Sequence, residues 1–262
     1  MILEKELKSV KRNKKMKALI VTVAGMSARF SRSAGEQIIK CLYHTNSMKE
    51  SLLYTLLDDS SDIDYFIIVG GYRYEELCKT VREYFEKFSN KILMVENPYY
   101  KRYGSGYSLY IGLQKAFETD ADEILFAEGD LHLSTNDYKK VCNAKKSVVT
   151  VNRDPILADK AVALYFDTSD KIHYIYDTGH NVLTINEPFL AIYNSGQVWK
   201  FADKNLTEKI YSQMEQEEWQ GTNLVFVEKY FTTLRRDEYE LITFNNWINC
   251  NTIDDYNRIK ER

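Results

Sequence analysis

Residues 17–24 read KALIVTVA, and Gly25-Met26-Ser27-Ala28-Arg29 follow at once. The apolar run is short and rich in β-branched residues, so it reads as a buried strand that opens into a loop. On either side of it the same pattern recurs. Residues 65–69 (YFIIV, closed by Gly70-Gly71), 91–95, 123–127 (EILFA) and 147–151 read as further strands. Between them 48–57, 75–88, 108–117 and 138–144 read as helices; in 75–88 the apolar positions are Leu77, Val81, Tyr84, Phe85 and Phe88. This alternation predicts βαβ units: an α/β three-layer sandwich around a mixed, mostly parallel central sheet.

After Asn152 the pattern changes. Residues 161–166, 172–176 and 189–193 read as strands with little helix between them, 208–216 as a helix, 240–244 as a strand and 253–260 as a closing helix. With three prolines, eleven glycines, no Gly/Ser-rich linker and no internal repeat, 17–262 is expected to form one domain. Residues 1–16 carry many lysines but lack the apolar stretch of a signal peptide, and read as a basic leader.

Composition narrows the function. The chain has 262 residues, 44% of them apolar, enough for a sizeable core. Charged residues make up 28% and nearly cancel, leaving a net charge of −3. That balance argues against nucleic-acid binding, which needs a basic surface. No run reaches roughly 18 apolar residues, so stable membrane insertion is not expected. Cys41, Cys78, Cys142 and Cys250 lie far apart with no CxxC pair, which disfavours structural zinc and points to free thiols in the cytoplasm.

Ligands of open α/β sheets sit beyond the carboxyl ends of strands, so the loops after Ala24, Val95 and Ala127 draw attention. In the first, Ala24, Gly25, Met26, Ser27 and Ala28 can turn backbone N–H groups toward phosphate oxygens, Arg29 can offer a fork, and Lys40 a point charge. Walker A and GxGxxG patterns are absent. In the second, Asn97-Pro98-Tyr99-Tyr100 precedes Gly104, Ser105, Gly106 and Ser108. The glycines allow close approach of backbone to a ligand, and a serine can cap the next helix. In the third, Asp130 follows the strand 123–127, where a carboxylate is a natural Mg²⁺ ligand. His132, two residues on, shares its face if the chain stays extended. Near the end, Thr252 reads as a helix N-cap with Asp254 and Asp255 in the first turn.

Together these segments resemble the nucleotidyltransferases that activate sugars and phospho-alcohols, whose fold is GT-A/Rossmann-like. Their loop reads roughly A-G-x-G-[ST]-R followed by a P-K pair, matched here by Ala24 to Arg29 and Ile39-Lys40. An Asp after the fourth strand is matched by Asp130. Asn97-Pro98-Tyr99-Tyr100 with Ser108-Leu109 is similar to the phosphocholine cytidylyltransferase branch. Ser27 replaces the second loop glycine, Ile39 the proline, Gly104-Ser105 an Asn-Asn pair, and Asn251 a late metal-binding Asp.

The resemblance implies transfer of a nucleoside monophosphate from an NTP, CTP being favoured, to a small phosphorylated or phosphonylated acceptor such as phosphocholine, with release of pyrophosphate. It makes 17–152 the nucleotide-binding half and 153–262 the acceptor-binding half. It gives Arg29, Lys40 and Asp130 catalytic roles, and makes Asp130 and Asn251 the Mg²⁺ ligands. Lys160 and Glu187 are candidates to face the acceptor. Twenty tyrosines with Trp199, Trp219 and Trp247 offer material for a cage around a quaternary ammonium. A homo-oligomer is left open. Two rivals remain: a GT-A glycosyltransferase, suggested by Asp130-x-His132, and a catalytically weakened nucleotide-binding homologue, suggested by Ser27, Ile39 and Asn251.

Overall fold

The computed structural model describes residues 14–157, 162–175 and 183–261. Most of the basic leader, Lys160 and Tyr176 lie outside the described residues. Strand β1 (Lys17–Thr22) pairs in parallel with β2 (Tyr65–Gly70) on one side and β4 (Glu123–Glu128) on the other, and β2 pairs in parallel with β3 (Ile92–Glu96). Beyond β4 lies the long β9 (Phe189–Phe201), antiparallel to both β4 and β6 (Ser147–Asn152); β10 (Tyr239–Phe244) closes the sheet parallel to β6. The order is β10-β6-β9-β4-β1-β2-β3, and the hairpin β7 (Ala163–Asp167) and β8 (Ile172–Tyr174) hangs on β9.

The alternation of side chains along β1 builds two cores. Ala18 and Ile20 join Leu109 and Leu113 of helix α4 (Ser105–Phe117), together with Trp199 and Phe226. Leu19 and Val21 face Leu53 and Leu57 of α2 (Leu52–Asp59), Leu77 and Val81 of α3 (Tyr74–Tyr84), and Tyr138 and Val141 of α5 (Thr135–Asn143). Each fully buried Leu or Ile contributes about 1.5–3 kcal/mol, so both faces hold the sheet. The expected mixed, mostly parallel three-layer sandwich is the observed fold. Among the described residues no helix is long and apolar enough to cross a membrane.

The second half departs from expectation in detail. The strand expected at 189–193 runs on to Phe201. Asn194, Ser195 and Gln197 interrupt its apolar pattern, yet all three are buried. Neighbours satisfy Ser195 and Gln197: Asn152 Nδ2 donates to Ser195 O at 2.8 Å, Gln197 N to Ser195 Oγ at 3.1 Å, and Asn249 Nδ2 to Gln197 Oε1 at 3.2 Å. Helix 208–216 is replaced by α6 (Lys204–Gln213) and the short α7 (Gln216–Gln220); α8 (Leu224–Thr232) follows without a sequence counterpart. Helix α4 starts at Ser105 rather than 108, and α1 (Ala28–Ala34) occupies what reads as loop.

Two small additions position the site. Strand β5 (Leu131–Leu133) pairs antiparallel with β11 (Trp247–Asn249). Cys250 N then donates to Asp130 O at 2.8 Å, which sets residue 251 beside residue 130. Helix α9 (Ile253–Lys260) begins immediately afterwards under a capping box made by Thr252 and Asp255, as its sequence suggests.

Candidate functional site

The ends of β1 to β4 are laced together by backbone bonds. Val23 N donates to Val69 O (2.8 Å), Tyr72 N to Ala24 O (3.1 Å), Asn97 N to Gly70 O (2.7 Å) and Gly129 N to Thr22 O (3.0 Å). Gly129 is required for this: a Cβ there would lie 2.2 Å from Val23 Cγ1 and 3.0 Å from Thr22 O. Between these loops opens a cleft of about 250 Å³. It is lined by Thr22 to Gly25, Ser27, Ile39 to Cys41, Asn97, Tyr100, Tyr103 to Ser105, Ser108 and Glu128 to Asp130.

At its floor three distant segments meet. Lys40 Nζ, in a 3-10 turn (Lys40–Leu42), sits 2.8 Å from Asp130 Oδ2 and donates to Asn251 Oδ1 at 3.2 Å. Arg29 Nη2 donates to the same Asn251 Oδ1 at 3.0 Å. Asn251 Nδ2 in turn donates to Asn249 Oδ1 at 2.8 Å, which fixes which way its amide points. Helix α9 is held against α1 by the bond from Ile253 N to Ser33 Oγ (2.9 Å) and by packing of Phe30, Cys250 and Tyr256. Arg29 is thereby delivered from α1 to the residue before the cap.

Ser27, where the resemblance expects glycine, takes the left-handed conformation at φ 54°, ψ 27°. A side chain there costs about 1–2 kcal/mol. The Ser27 hydroxyl offsets part of this by accepting a bond from Lys40 N at 3.2 Å, which ties the loop to the lysine. Among the described residues the backbone N–H groups of Gly25, Met26 and Ser27 donate to no protein acceptor. They remain available to an anion.

Glu128, not singled out in the sequence, is a half-buried wall of the same cleft. Its Oε1 accepts from Asn223 Nδ2 at 2.9 Å. Burial and the nearby Asp130 carboxylate push its carboxyl up to about 7, against the opposing effects of Asn223 and Lys40. A signal was present in the sequence: Glu128 and Asp130 flank one glycine at the end of a buried strand. Cys41 also lines the cleft, but burial pushes its thiol up to about 12, leaving it a neutral, unreactive group.

Other candidates sit differently. Gly104 and Gly106 serve a neighbouring segment. Their N–H groups donate to Gln220 O (2.8 Å) and Gly221 O (2.9 Å), and a Cβ would lie 2.3 Å from Gly221 O at 104 and 2.8 Å from Trp219 O at 106. Close approach is therefore to the chain at 219–222. Ser105 Oγ accepts from Asn223 N (3.1 Å) and Ser108 Oγ from Asn97 Nδ2 (2.9 Å); both line the cleft. Met26 and Ala28 face an adjoining depression with Arg32 and Tyr72.

His132 does not share Asp130's side. In β5 it opens onto a separate depression with Asp58, Asp59 and Thr135, so the Asp-x-His pairing does not form one site. No tryptophan cages the cleft. Trp199 stacks on Phe126 (5.1 Å between ring centres) and donates to Tyr174 OH, Trp219 packs on Phe226, and Trp247 donates to Gly196 O. Glu187 is engaged by Tyr165 OH at 2.7 Å.

The divalent cation implied by the resemblance has a suitable donor. Asp130 Oδ1 is buried with no hydrogen-bond partner among the described residues, while Oδ2 holds Lys40. Among the described residues no group of three or more His, Cys, Asp or Glu converges as a metal cage. Magnesium takes one or two carboxylates plus substrate phosphates, so the donor set fits it.

Comparison with solved structures finds the same fold at low identity. The inositol-1-phosphate CTP transferase from T. maritima superposes with a TM-score of 0.65 at 16% identity, covering 95% of this chain and 96% of that one. The CTP:phosphocholine cytidylyltransferase LicC from Streptococcus pneumoniae gives 0.61 at 17%, covering 95% and 99%. HddC from Yersinia pseudotuberculosis, complexed with GMP-PN, gives 0.61 at 14%, covering 94% and 99%. These likenesses establish a nucleotidyltransferase fold. No curated protein sequence matches. One family model does, over residues 36–262, and its description is a domain of unknown function. With most of its length matched, the chain belongs to that family, DUF6564.

Proposed function

We propose that this protein transfers a nucleoside monophosphate from an NTP to a small phosphorylated or phosphonylated acceptor and releases pyrophosphate. The observation that carries the reading is the meeting of Lys40, Asp130 and Asn251 at the strand ends, beside a loop whose amides are free. An acceptor phosphate or phosphonate oxygen, ionised at neutral pH, attacks the α-phosphorus. The new P–O bond forms in line as the bond to the β-phosphate oxygen breaks, and its electrons leave with pyrophosphate. No general base is required, so catalysis consists of positioning and charge neutralisation.

The N–H groups of Gly25, Met26 and Ser27 hold phosphate oxygens. Lys40 exchanges part of its contact with Asp130 for the α-phosphate, and Arg29, steadied by Asn251, meets the departing pyrophosphate. A magnesium ion on Asp130 supplies further charge neutralisation when bound. Residues 17–152 serve the nucleotide and 153–262 the acceptor. CTP is the favoured donor, resting on the Asn97-Pro98-Tyr99-Tyr100 likeness, and the free cysteines suit a reducing cytoplasm.

The test is a pyrophosphate-release screen of the four NTPs with Mg²⁺ against phosphocholine, phosphoethanolamine, aminophosphonates and sugar phosphates. At least one pair is expected to turn over. Tight NTP binding with no turnover in any pair would favour a nucleotide-sensing role instead.

A further inference from the structure

Asn251 stands where the resembling enzymes carry a second metal-binding carboxylate, and its one side-chain acceptor atom is already taken. Asn251 Oδ1 receives Arg29 at 3.0 Å and Lys40 at 3.2 Å, while its amide nitrogen is held by Asn249. A cation approaching that oxygen would meet two positive charges first. The charge count is also unfavourable. Asp130 Oδ2 is already paired with Lys40 at 2.8 Å, and Asp255 Oδ2 is committed to the N–H groups of Asn251 and Thr252 at 2.9 Å, so neither carboxylate oxygen is left to offset Lys40 and Arg29 there.

At the end of β4 the chemistry reverses. Asp130 Oδ1 is buried without a hydrogen-bond partner among the described residues. Glu128, two residues before Asp130 and separated from it by Gly129, lines the same cleft. Asn223, almost fully buried, grips Glu128 Oε1 at 2.9 Å and is itself anchored by its N–H to Ser105 Oγ at 3.1 Å. Glu128 Oε2 has no hydrogen-bond partner among the described residues, so one oxygen is oriented by protein and the other is left for a ligand. This is the usual division of labour between inner ligands and the groups that aim them.

We infer that the second carboxylate for the divalent cation of this site is Glu128, oriented by Asn223, and that Asn251 is a positioning residue for Lys40 and Arg29. The inference rests on the nucleotidyl-transfer reading. It changes the character of the site: the cation is held from the β4 side alone, and Asn251 is left to steady the phosphate-binding Lys40 and Arg29.

The test measures metal binding, not turnover. Mn²⁺ affinity is read by water-proton relaxation or electron paramagnetic resonance on the full chain, with each of the four α,β-methylene nucleoside triphosphates in turn. Glu128→Gln is expected to weaken Mn²⁺ about tenfold or more, as loss of a ligand or its orienting partner does, and Asn251→Ala to weaken it less. Glu128→Asp, which keeps the charge, should retain more affinity than Glu128→Gln; equal loss in the two overturns the inference. So does a loss in Asn251→Ala as large as that in Glu128→Gln, in which case nucleotidyl transfer still stands. If the wild-type protein forms no Mn²⁺–nucleotide complex with any of the four, the inference and the transfer reading fall together.

Discussion

Two groups of side chains meet at Lys40 and are built from opposite chemistry. At the end of β4, Glu128 and Asp130 present carboxylate oxygens that the protein leaves partly unbonded. Between β11 and α9, the side-chain oxygen of Asn251 is fully engaged: it accepts from two cations, while its Nδ2 donates to Asn249 and its backbone N–H to Asp255 at 2.9 Å. On the metal-ligand inference, the first group takes the cation and Asn251 supports Lys40 and Arg29. A substitution that looks like the loss of a ligand can therefore be the gain of a support, and the partners of an atom say more than its residue type.

The contrast can be broken most severely at its centre. Lys40→Ala and Asp130→Ala should each lower kcat/KM on the order of 100- to 1000-fold, since each removes a preorganised charge; steady-state pyrophosphate release checks this. Asn251→Ala is the sharper probe of the second group. Losing hydrogen bonds to charged groups is worth about 1.5–3 kcal/mol, so a drop of roughly 10- to 150-fold is expected, chiefly in kcat.

Glu128→Gln separates the two groups by pH. A carboxyl whose folded value is raised from 4.5 to about 7 costs nothing below 4.5, where it is neutral in both states. The cost grows as pH rises from 4.5 to about 7, where the unfolded chain ionises first, and is complete above that. In chelator-treated protein, Glu128→Gln should match wild type at pH 4.5 and be more stable by about 1–2 kcal/mol at pH 8, the side chain's access to the open cleft keeping the gain modest. Urea unfolding at the two pH values reads it. The smallest effect is expected at Ser27. Ser27→Gly relieves the left-handed strain but loses the bond to Lys40 N and should be near neutral. Ser27→Ala keeps the strain, loses the bond, and should cost about 1 kcal/mol by the same measurement.

Much of this was legible from residue order. The strands β1, β2 and β4 and helix α9 announce themselves by short buried runs and by the Thr252–Asp255 cap, because local pattern and tertiary burial agree there. The continuation of β9 through Asn194, Ser195 and Gln197 was not legible. Its polar residues are buried against partners such as Asn152, contributed from more than 40 positions away, and a local window cannot see them. Helix α8 was hidden for another reason: its buried residues Leu224, Phe226, Val227, Tyr230 and Phe231 share one side, but Val225 completes an unbroken apolar run over 224–227 that reads as readily as a strand.

At the site, order in the sequence brought Lys40, Asp130 and Asn251 into one hypothesis, and the fold brings their side chains together. The glycines at 104 and 106 allow a close approach, as foreseen, and the backbone they meet is the chain at 219–222, while Gly104 also lines the cleft. Glu128 escaped notice because a carboxylate closing a strand reads as an ordinary solvated end until Asn223 and Asp130 are found beside it.

The most direct test of nucleotidyl transfer follows an NTP labelled at its α-phosphate through a single turnover with the acceptor that the screen selects. Label recovered in an acceptor–nucleotide diphosphate linkage, with unlabelled pyrophosphate released in equal amount and both lost in Asp130→Ala, is the result predicted. Label remaining on unreacted NTP, or appearing in a nucleoside diphosphate without pyrophosphate, would contradict it.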